Sequence, residues 1–353
     1  MESNNHYDAI IIGGGQSGLA VGYYMRRTKL NYLILDDQDE AGGAWLHTWD
    51  SLQLFSPAEH SSLPGWLMPK DVSEYPSKQH VIGYLQEYET RYKLPIKRPV
   101  RVKEVTKENN LYTVKTDKDS YTCSALINTT GSWKSSFIPK YPNQEEFNGQ
   151  QIHSAHYKNT TGLEGKNVLI VGGGNSGAQI LAEVSKVAQT TWVTLTEPKF
   201  LPDEVDGRYL FEFATKKYKA RLEGKEIKPA GSLGDVVMVA PVKEARSRNV
   251  LGSKRPFASF YKEGVVWPSG EKEGFDVVIW CTGFKAALHH LDKLNIGNAQ
   301  GKIETELTKA KAIEGLWLVG YGSWTGYASA TLIGVGRTAR RTAEEVRLYL
   351  KGC

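Results

Sequence analysis

Apolar residues in this chain gather in short runs that end on glycines. From Tyr7 to Ile12 the sequence YDAIII is a strand-type run, followed at once by Gly13, Gly15 and Gly18. SGLAVGYYMRR then sets small and apolar residues at helical spacing, and NYLILDD predicts a second strand ending at Asp36. The same course recurs much later. NVLIV (Asn167 to Val171) reads as a strand, Gly172, Gly174 and Gly177 as its glycine turn, AQILAEVSKVA as a helix and TTWVTLTE as the next strand.

Three more runs read as strands that complete these units. They are SALINTTG (Ser124 to Gly131), DVVIWCTGF (Asp276 to Phe284) and GLWLVGYG (Gly315 to Gly322). A final helix is predicted to begin near Ser329 to Leu332. Strands alternating with helices place the chain in the α/β class, with two doubly wound Rossmann-like dinucleotide-binding domains, the second inserted into the first. Residues 1–158 and 276–353 are assigned to the first domain and 159–275 to the insert. Within the insert, residues 203–255 read as helical and loop decoration.

Each glycine has a physical task in such a unit. Gly13 and Gly172 permit the tight turn, Gly15 and Gly174 let the backbone approach a pyrophosphate, and Gly18 and Gly177 let helix pack on strand. The helix N-termini, with Gln16 and Ser17 in one first turn and Asn175 and Ser176 in the other, offer free N–H groups and a partial positive charge to phosphates. Asp36 stands where an acid accepts hydrogen bonds from a ribose. In the second copy that position falls at Leu195 and Thr196, with Glu197 just beyond and no Arg at the tip.

Composition narrows the function. The chain has 353 residues, enough for a large core in two domains, and a net charge of only +5 without long basic runs, which argues against nucleic acid. The three cysteines (Cys123, Cys281, Cys353) lie far apart, so free thiols in a reducing cytoplasm are expected. No signal-type or membrane-spanning run is found, which predicts no membrane partner. His153, His156, His289 and His290 have no neighbours at ligand spacing, so no metal is expected.

Two dinucleotide sites in one chain suit hydride transfer from a nicotinamide to a flavin. FAD is assigned to the first fingerprint, because the N- and C-terminal segments make the larger domain, and NADH or NADPH to the second. Electron transfer to a redox disulfide needs a close cysteine pair, which the chain lacks.

FNGQQIHSAHY fits F-x-G-x-x-x-H-x-x-x-Y through Phe147, Gly149, His153 and Tyr157. That motif, lying between two G-x-G-x-x-G turns, resembles the signature of flavin-containing monooxygenases of the short bacterial type. Baeyer–Villiger monooxygenases are similar but carry Trp where this chain has Tyr157. The GGAW turn (Gly42 to Trp45) and the Thr282-Gly283 turn also resemble that family. The resemblance implies that NAD(P)H-reduced FAD reacts with O2 to give a C4a-(hydro)peroxide, which oxygenates small sulfides, amines or ketones. It also implies flavin contact at Gly43, Trp45, His47, Thr130, Gly131, Gly322, Thr331 and Leu332.

Family members often carry an asparagine contacting flavin and nicotinamide. The corresponding stretch here, SLQLFSPAEHSS, has none and places Phe55 and Ser56 as the candidate catalytic pair. That departure predicts leakage of H2O2, so an NAD(P)H oxidase or reductase is the alternative, with a non-catalytic redox sensor behind it. NADPH-dependent members carry an Arg-Thr pair at the second strand tip where this chain has Leu195 and Thr196. Both NADH and NADPH are therefore expected to serve, NADH at least as well. The expected partners are a small substrate and O2, and a homodimer is left open.

Overall fold

The computed structural model describes residues 5–222, 235–298 and 301–352. The chain divides into two compact units. One comprises Met1–Leu46, Ser56–Lys134 and Ala286–Cys353, the other His47–Phe55 and Ser135–Lys285.

The first unit opens with β1 (His6–Ile12), α1 (Gln16–Met25) and β2 (Tyr32–Leu35). It continues through α2 (Lys78–Tyr92), β3 (Ile96–Lys97), β4 (Val102–Glu108), β5 (Leu111–Thr116) and β6 (Ser120–Asn128). β1 lies parallel to both β2 and β6, Ile10 standing opposite Leu33 and Leu126. Its residues Ala9, Ile10 and Ile11 are wholly buried. That explains an unbroken apolar run in place of alternation, because both sheet faces are covered. α2 starts where the Ser77 side chain accepts from the His80 N–H, and it buries Val81, Leu85 and Tyr88 at helical spacing. β4 and β5 form a hairpin turned by Asn109 and Asn110, both with positive φ.

The second unit contains β7 (Gln150–His153), β8 (Asn167–Val171), α3 (Asn175–Val184), β9 (Gln189–Val193), α4 (Gly207–Leu222) and α5 (Ala240–Ser247). The strands β10 (Ser253–Lys254), β11 (Ser259–Tyr261), β12 (Gly264–Val266), β13 (Lys272–Gly274) and β14 (Val277–Trp280) follow. Its main sheet runs β10-β9-β8-β14-β7 with every pair parallel. β11, β12 and β13 make a separate antiparallel sheet beside an aromatic cluster that includes Phe147, Phe257, Phe260, Trp267 and Trp280.

The chain then returns to the first unit with β15 (Thr305–Glu306), β16 (Lys309–Ala310), β17 (Leu316–Leu318) and α6 (Val335–Lys351). β17 pairs parallel with β6, Trp317 opposite Ile127, so the sheet order is β15-β16-β17-β6-β1-β2-β3. Among the described residues no helix is long and apolar enough to cross a membrane.

Three details differ from the sequence-based expectation. Residues 47–55, 135–158 and 276–285 belong with the second unit, where β7 hydrogen-bonds along β14 with Gln150 opposite Val277. Residues 203–255 contain a sheet strand, β10, besides helices and loop; residues 223–234 lie outside the described residues. The last helix starts at Val335, because Gly326 and Ala328 have positive φ that no right-handed helix accommodates, and turns fill the interval.

Candidate functional site

The first fingerprint folds as a turn that only glycine can make. Gly13 has φ of +105°, and a Cβ there would stand 2.8 Å from the Thr129 carbonyl oxygen at the end of β6. A Cβ on Gly18 would fall 1.9 Å from the Gly13 carbonyl, so α1 packs directly on the turn. A Cβ on Gly15 would meet only Gly43 Cα, in ordinary contact at 3.7 Å. α1 has no side-chain cap and no acid in its first turn, leaving its positive end available to an anion.

Distant segments converge on this helix end. Gln16 Nε2 donates to the Ala330 carbonyl (2.7 Å), and its Oε1 accepts from Trp45 Nε1 (2.9 Å). Gly43 approaches Gly15 so closely that a Cβ on Gly43 would be 2.7 Å from Gly15 Cα. At Gly320 a Cβ would meet the Ser17 hydroxyl at 2.1 Å. Thus Gly15, Gln16, Ser17, Gly43 and Trp45 are brought together with the turn that precedes α6. In that turn Ser329 Oγ donates to the Gly322 carbonyl, and Thr331 Oγ1 donates to the Ala328 carbonyl and accepts from the Gly334 N–H. Leu332 is buried, 4% exposed, and Thr331 and Leu332 precede α6 rather than open it. His47 falls within the second unit's share of the chain, where its carbonyl accepts from Lys158 Nζ (2.7 Å).

The Thr130-Gly131 turn is fixed by a closed hydrogen-bond network. Thr130 Oγ1 donates to the Ala287 carbonyl (2.7 Å), so Tyr321 OH is the donor across the 2.9 Å to Thr130. Asn128 Nδ2 donates to Tyr321 OH (2.6 Å), and its Oδ1 accepts from His290 Nε2 (2.7 Å). Burial pushes the His290 pKa down to about 4 and raises that of Tyr321. Neither Asn128, Tyr321 nor His290 is marked by any local pattern.

Asp36 ends β2 as expected, but its carboxylate is committed inward. It is 3% exposed, and its Oδ2 accepts from Arg98 Nε at 3.0 Å and is ion-paired with Arg98 Nη2 at 3.0 Å. Arg98 continues to Glu89 at 2.7 Å. Burial raises the Asp36 pKa above the usual carboxylate range, against the opposing pull of Arg98 and the Gly14 N–H. The carboxylate expected to accept from a ribose thus lies in a buried chain of charges with Arg98 and Glu89.

The second fingerprint repeats the first. Gly172 has φ of +133°, and its Cβ would meet the Cys281 carbonyl at 2.1 Å. A Cβ on Gly177 would fall 2.1 Å from the Gly172 carbonyl, and one on Gly174 would find nothing within 4 Å. α3, like α1, has no side-chain cap and no acid in its first turn. The Asn175 amide donates to the Asp235 carbonyl (3.1 Å) and accepts from the Val237 N–H (2.8 Å), so it ties down a loop. Ser176 stands next to it in the first turn.

At the tip of β9, Thr194 is buried while Leu195 is 83% exposed, with Thr196 and Glu197 exposed beside it. Arg255, unmarked by any sequence signal, donates to the Thr194 carbonyl (3.1 Å) and Oγ1 (2.6 Å) and pairs with Glu197.

The F-x-G-x-x-x-H-x-x-x-Y residues form a local clamp. The Phe147 ring lies where a Cβ on Gly149 would be, 2.2 Å away, which is why the motif needs glycine there. His153 Nε2 donates to the Gly283 carbonyl (3.0 Å) and Nδ1 accepts from the Ala155 N–H (3.1 Å). This sets the neutral tautomer, and burial lowers the His153 pKa accordingly. The ring thereby holds the Thr282-Gly283 turn, where Thr282 Oγ1 donates to the Phe137 carbonyl. Tyr157 is 2% exposed in the core with Trp49 and Trp192, and burial raises its pKa.

Phe55 and Ser56, the candidate catalytic pair, are engaged in packing and hydrogen bonding. The Phe55 ring packs with Leu201, Leu210 and Val237. Ser56 is 3% exposed, its hydroxyl bonded to Ser61 Oγ at 2.7 Å.

Two open cradles of the same construction, one in each doubly wound unit, define an oxidoreductase of the two-dinucleotide class. The sequence matches the pyridine nucleotide-disulphide oxidoreductase family over residues 10–320. It is similar to a flavin-containing monooxygenase from Stenotrophomonas maltophilia, 46% identical with a TM-score of 0.90, covering 98% of this chain and 99% of that one. It is 32% identical to an uncharacterized oxidoreductase CzcO of Bacillus velezensis over 96% of this chain and 99% of that protein. A probable indole-3-pyruvate monooxygenase, YUCCA8 of Arabidopsis thaliana, is 32% identical over 59% of this chain and 51% of its own length. The chain belongs to this family as a flavin-containing monooxygenase, a flavin-dependent oxidoreductase. The disulphide in the family's name has no counterpart in Cys123 or Cys281, both buried free thiols; burial lifts the Cys281 pKa to about 12.

Proposed function

We propose that the first unit binds FAD, that the second binds NADH or NADPH, and that the enzyme transfers one oxygen atom of O2 to small soft nucleophiles such as sulfides and amines, or to ketones. The observation that carries this reading is the duplicated cradle. Gly174, with nothing within 4 Å of a Cβ, and Gly15, whose Cβ would meet only Gly43 Cα at 3.7 Å, each stand at an uncapped helix N-terminus, which supports a pyrophosphate at both. When bound, the flavin accepts a hydride from the nicotinamide and activates O2.

The chain's own residues bind and orient. In the first unit the N–H groups at the start of α1 take the pyrophosphate, and Gln16, by joining Trp45 to Ala330, fixes the segments around it. In the second, α3 takes the other pyrophosphate, and the clamp from His153 to Gly283 holds the adjoining strand end. The exposed apolar Leu195 at the β9 tip supports use of both nicotinamides, since it neither attracts nor repels a 2′-phosphate.

The test is oxygenation of thioanisole by the purified flavoprotein with NADH and air. Sulfoxide above the enzyme-free background is expected. H2O2 as the sole product, quantified with and without catalase, replaces this reading by that of an NAD(P)H oxidase.

A further inference from the structure

We propose that Arg255 reads the 2′ position of the adenosine ribose at the second cradle, with Glu197 as the counter-charge that sets how strongly a 2′-phosphate is accepted. This rests on the second unit holding the nicotinamide dinucleotide.

The strand register puts Arg255 there. β10 runs parallel to β9 with Ser253 opposite Trp192 and Lys254 opposite Val193. The next residue of each strand, Arg255 and Thr194, therefore meet at the carboxyl ends of the strands, where doubly wound sheets take their ligands. The tip of the strand after the glycine-turn helix is where such units read the ribose. Arg255 Nη1 is anchored twice on Thr194, which is 1% exposed, at 3.1 and 2.6 Å. Nη2 contacts Ser253 Oγ at 3.4 Å and pairs with Glu197. The Glu197 side chain is 79% exposed and that of Arg255 43%.

A pair so exposed contributes little to the fold. What it does is place a guanidinium of fixed root, and a carboxylate on a solvent-facing loop, at one ribose-reading position. A 2′-hydroxyl donates to a carboxylate, so Glu197 serves NADH. A 2′-phosphate takes the guanidinium as a charge-assisted partner but must displace Glu197, whose like charge opposes it. Lys254 does not substitute, because its ammonium is paired with Glu273 at 2.7 Å and lies over the Trp267 ring. The two opposed charges account for an intermediate preference where neither an Arg nor an acid occupies the Leu195 position.

Equilibrium titration of the FAD-loaded protein with NAD+ and NADP+ by calorimetry tests this. Glu197→Gln, which loses the charge but keeps an acceptor for the 2′-hydroxyl, should tighten NADP+ by about tenfold and weaken NAD+ by less than about threefold. Arg255→Ala should weaken NADP+ by about tenfold, leave NAD+ within about threefold, and abolish the Glu197→Gln gain in the double variant. Equal effects of Arg255→Ala on both nucleotides, or none on either, overturn the proposal. Wild-type protein that binds neither nucleotide, or a Gly174→Val variant that binds both unchanged, overturns the assignment of the second cradle itself.

Discussion

Trp45 donates its indole N–H to Gln16 Oε1 across 2.9 Å, and the same Gln16 amide donates on to the Ala330 carbonyl at 2.7 Å. One side chain at the start of α1 thus joins the Gly42–Trp45 turn to the turn before α6, segments that lie far apart in sequence. Neutral hydrogen bonds of this kind contribute about 1 kcal/mol each. Gln16→Ala should therefore lower thermal stability only slightly but loosen FAD, raising its dissociation constant by up to about thirtyfold on loss of both bonds. Reconstitution of the flavin-stripped protein measures it. An unchanged FAD affinity would separate Gln16 from the flavin site.

The two cradles should fail independently. Gly15→Val must place a β-branched side chain against Gly43, whereas Gly174→Val fills the space above α3, where nothing lies within 4 Å. Gly15→Val should purify colourless. Gly174→Val should stay yellow, be bleached by dithionite and resist bleaching by NADH. A yellow Gly15→Val protein, or a Gly174→Val protein reduced by NADH at the wild-type rate, reverses the respective assignment.

Those glycine turns were legible in the sequence because their determinants are local: Gly13 and Gly18, or Gly172 and Gly177, meet within one turn of chain. The clamp motif was legible only as a resemblance, and its geometry shows the reason for each residue, the Phe147 ring over Gly149 and the His153 ring on Gly283. Arg98 and Arg255 were not legible. Each reaches its partner, Asp36 or Thr194, through strand register across some sixty residues, which no periodicity records. The start of α6 was misplaced for another reason. The small and apolar residues before Val335 continue a helical pattern, while the positive φ of Gly326 and Ala328 holds the backbone in turns.

Acid should unlock the network behind Thr130. Burial depresses the His290 pKa to about 4 and also lowers that of His153. In the unfolded chain a histidine takes its proton near pH 6.5, so the unfolded state binds more protons below that value. The stabilisation is complete above about pH 6.5 and is lost as pH falls toward 4, with His290 contributing about 2–3 kcal/mol. Denaturant midpoints across this range should fall for the wild type. His290→Gln, which keeps a donor for Asn128 Oδ1 but cannot titrate, should flatten part of that fall. An identical slope in the variant would show that His290 is solvated and titrates normally.

The β9 tip provides the last prediction. Leu195 is 83% exposed and carries no charge, so it can be replaced without disturbing the core. NADPH differs from NADH by a 2′-phosphate, and a charge-assisted contact to that group is worth about 1.5–3 kcal/mol. Leu195→Arg sets a second guanidinium beside Arg255, whose pairing with Glu197 moderates the like-charge repulsion between them. The lower end of the range applies, because the new side chain is exposed and screened. We expect the wild-type flavin to be reduced by both nucleotides, NADH at least as well as NADPH, and the variant to shift that ratio toward NADPH by about tenfold. The shift should appear in kcat/KM for flavin reduction and shrink at high salt, as an exposed ionic contact must. A wild-type preference for NADPH beyond about a hundredfold, more than one such contact can supply, would mean that a further cation such as Lys199 reads the phosphate beside Arg255 and that Glu197 imposes no penalty.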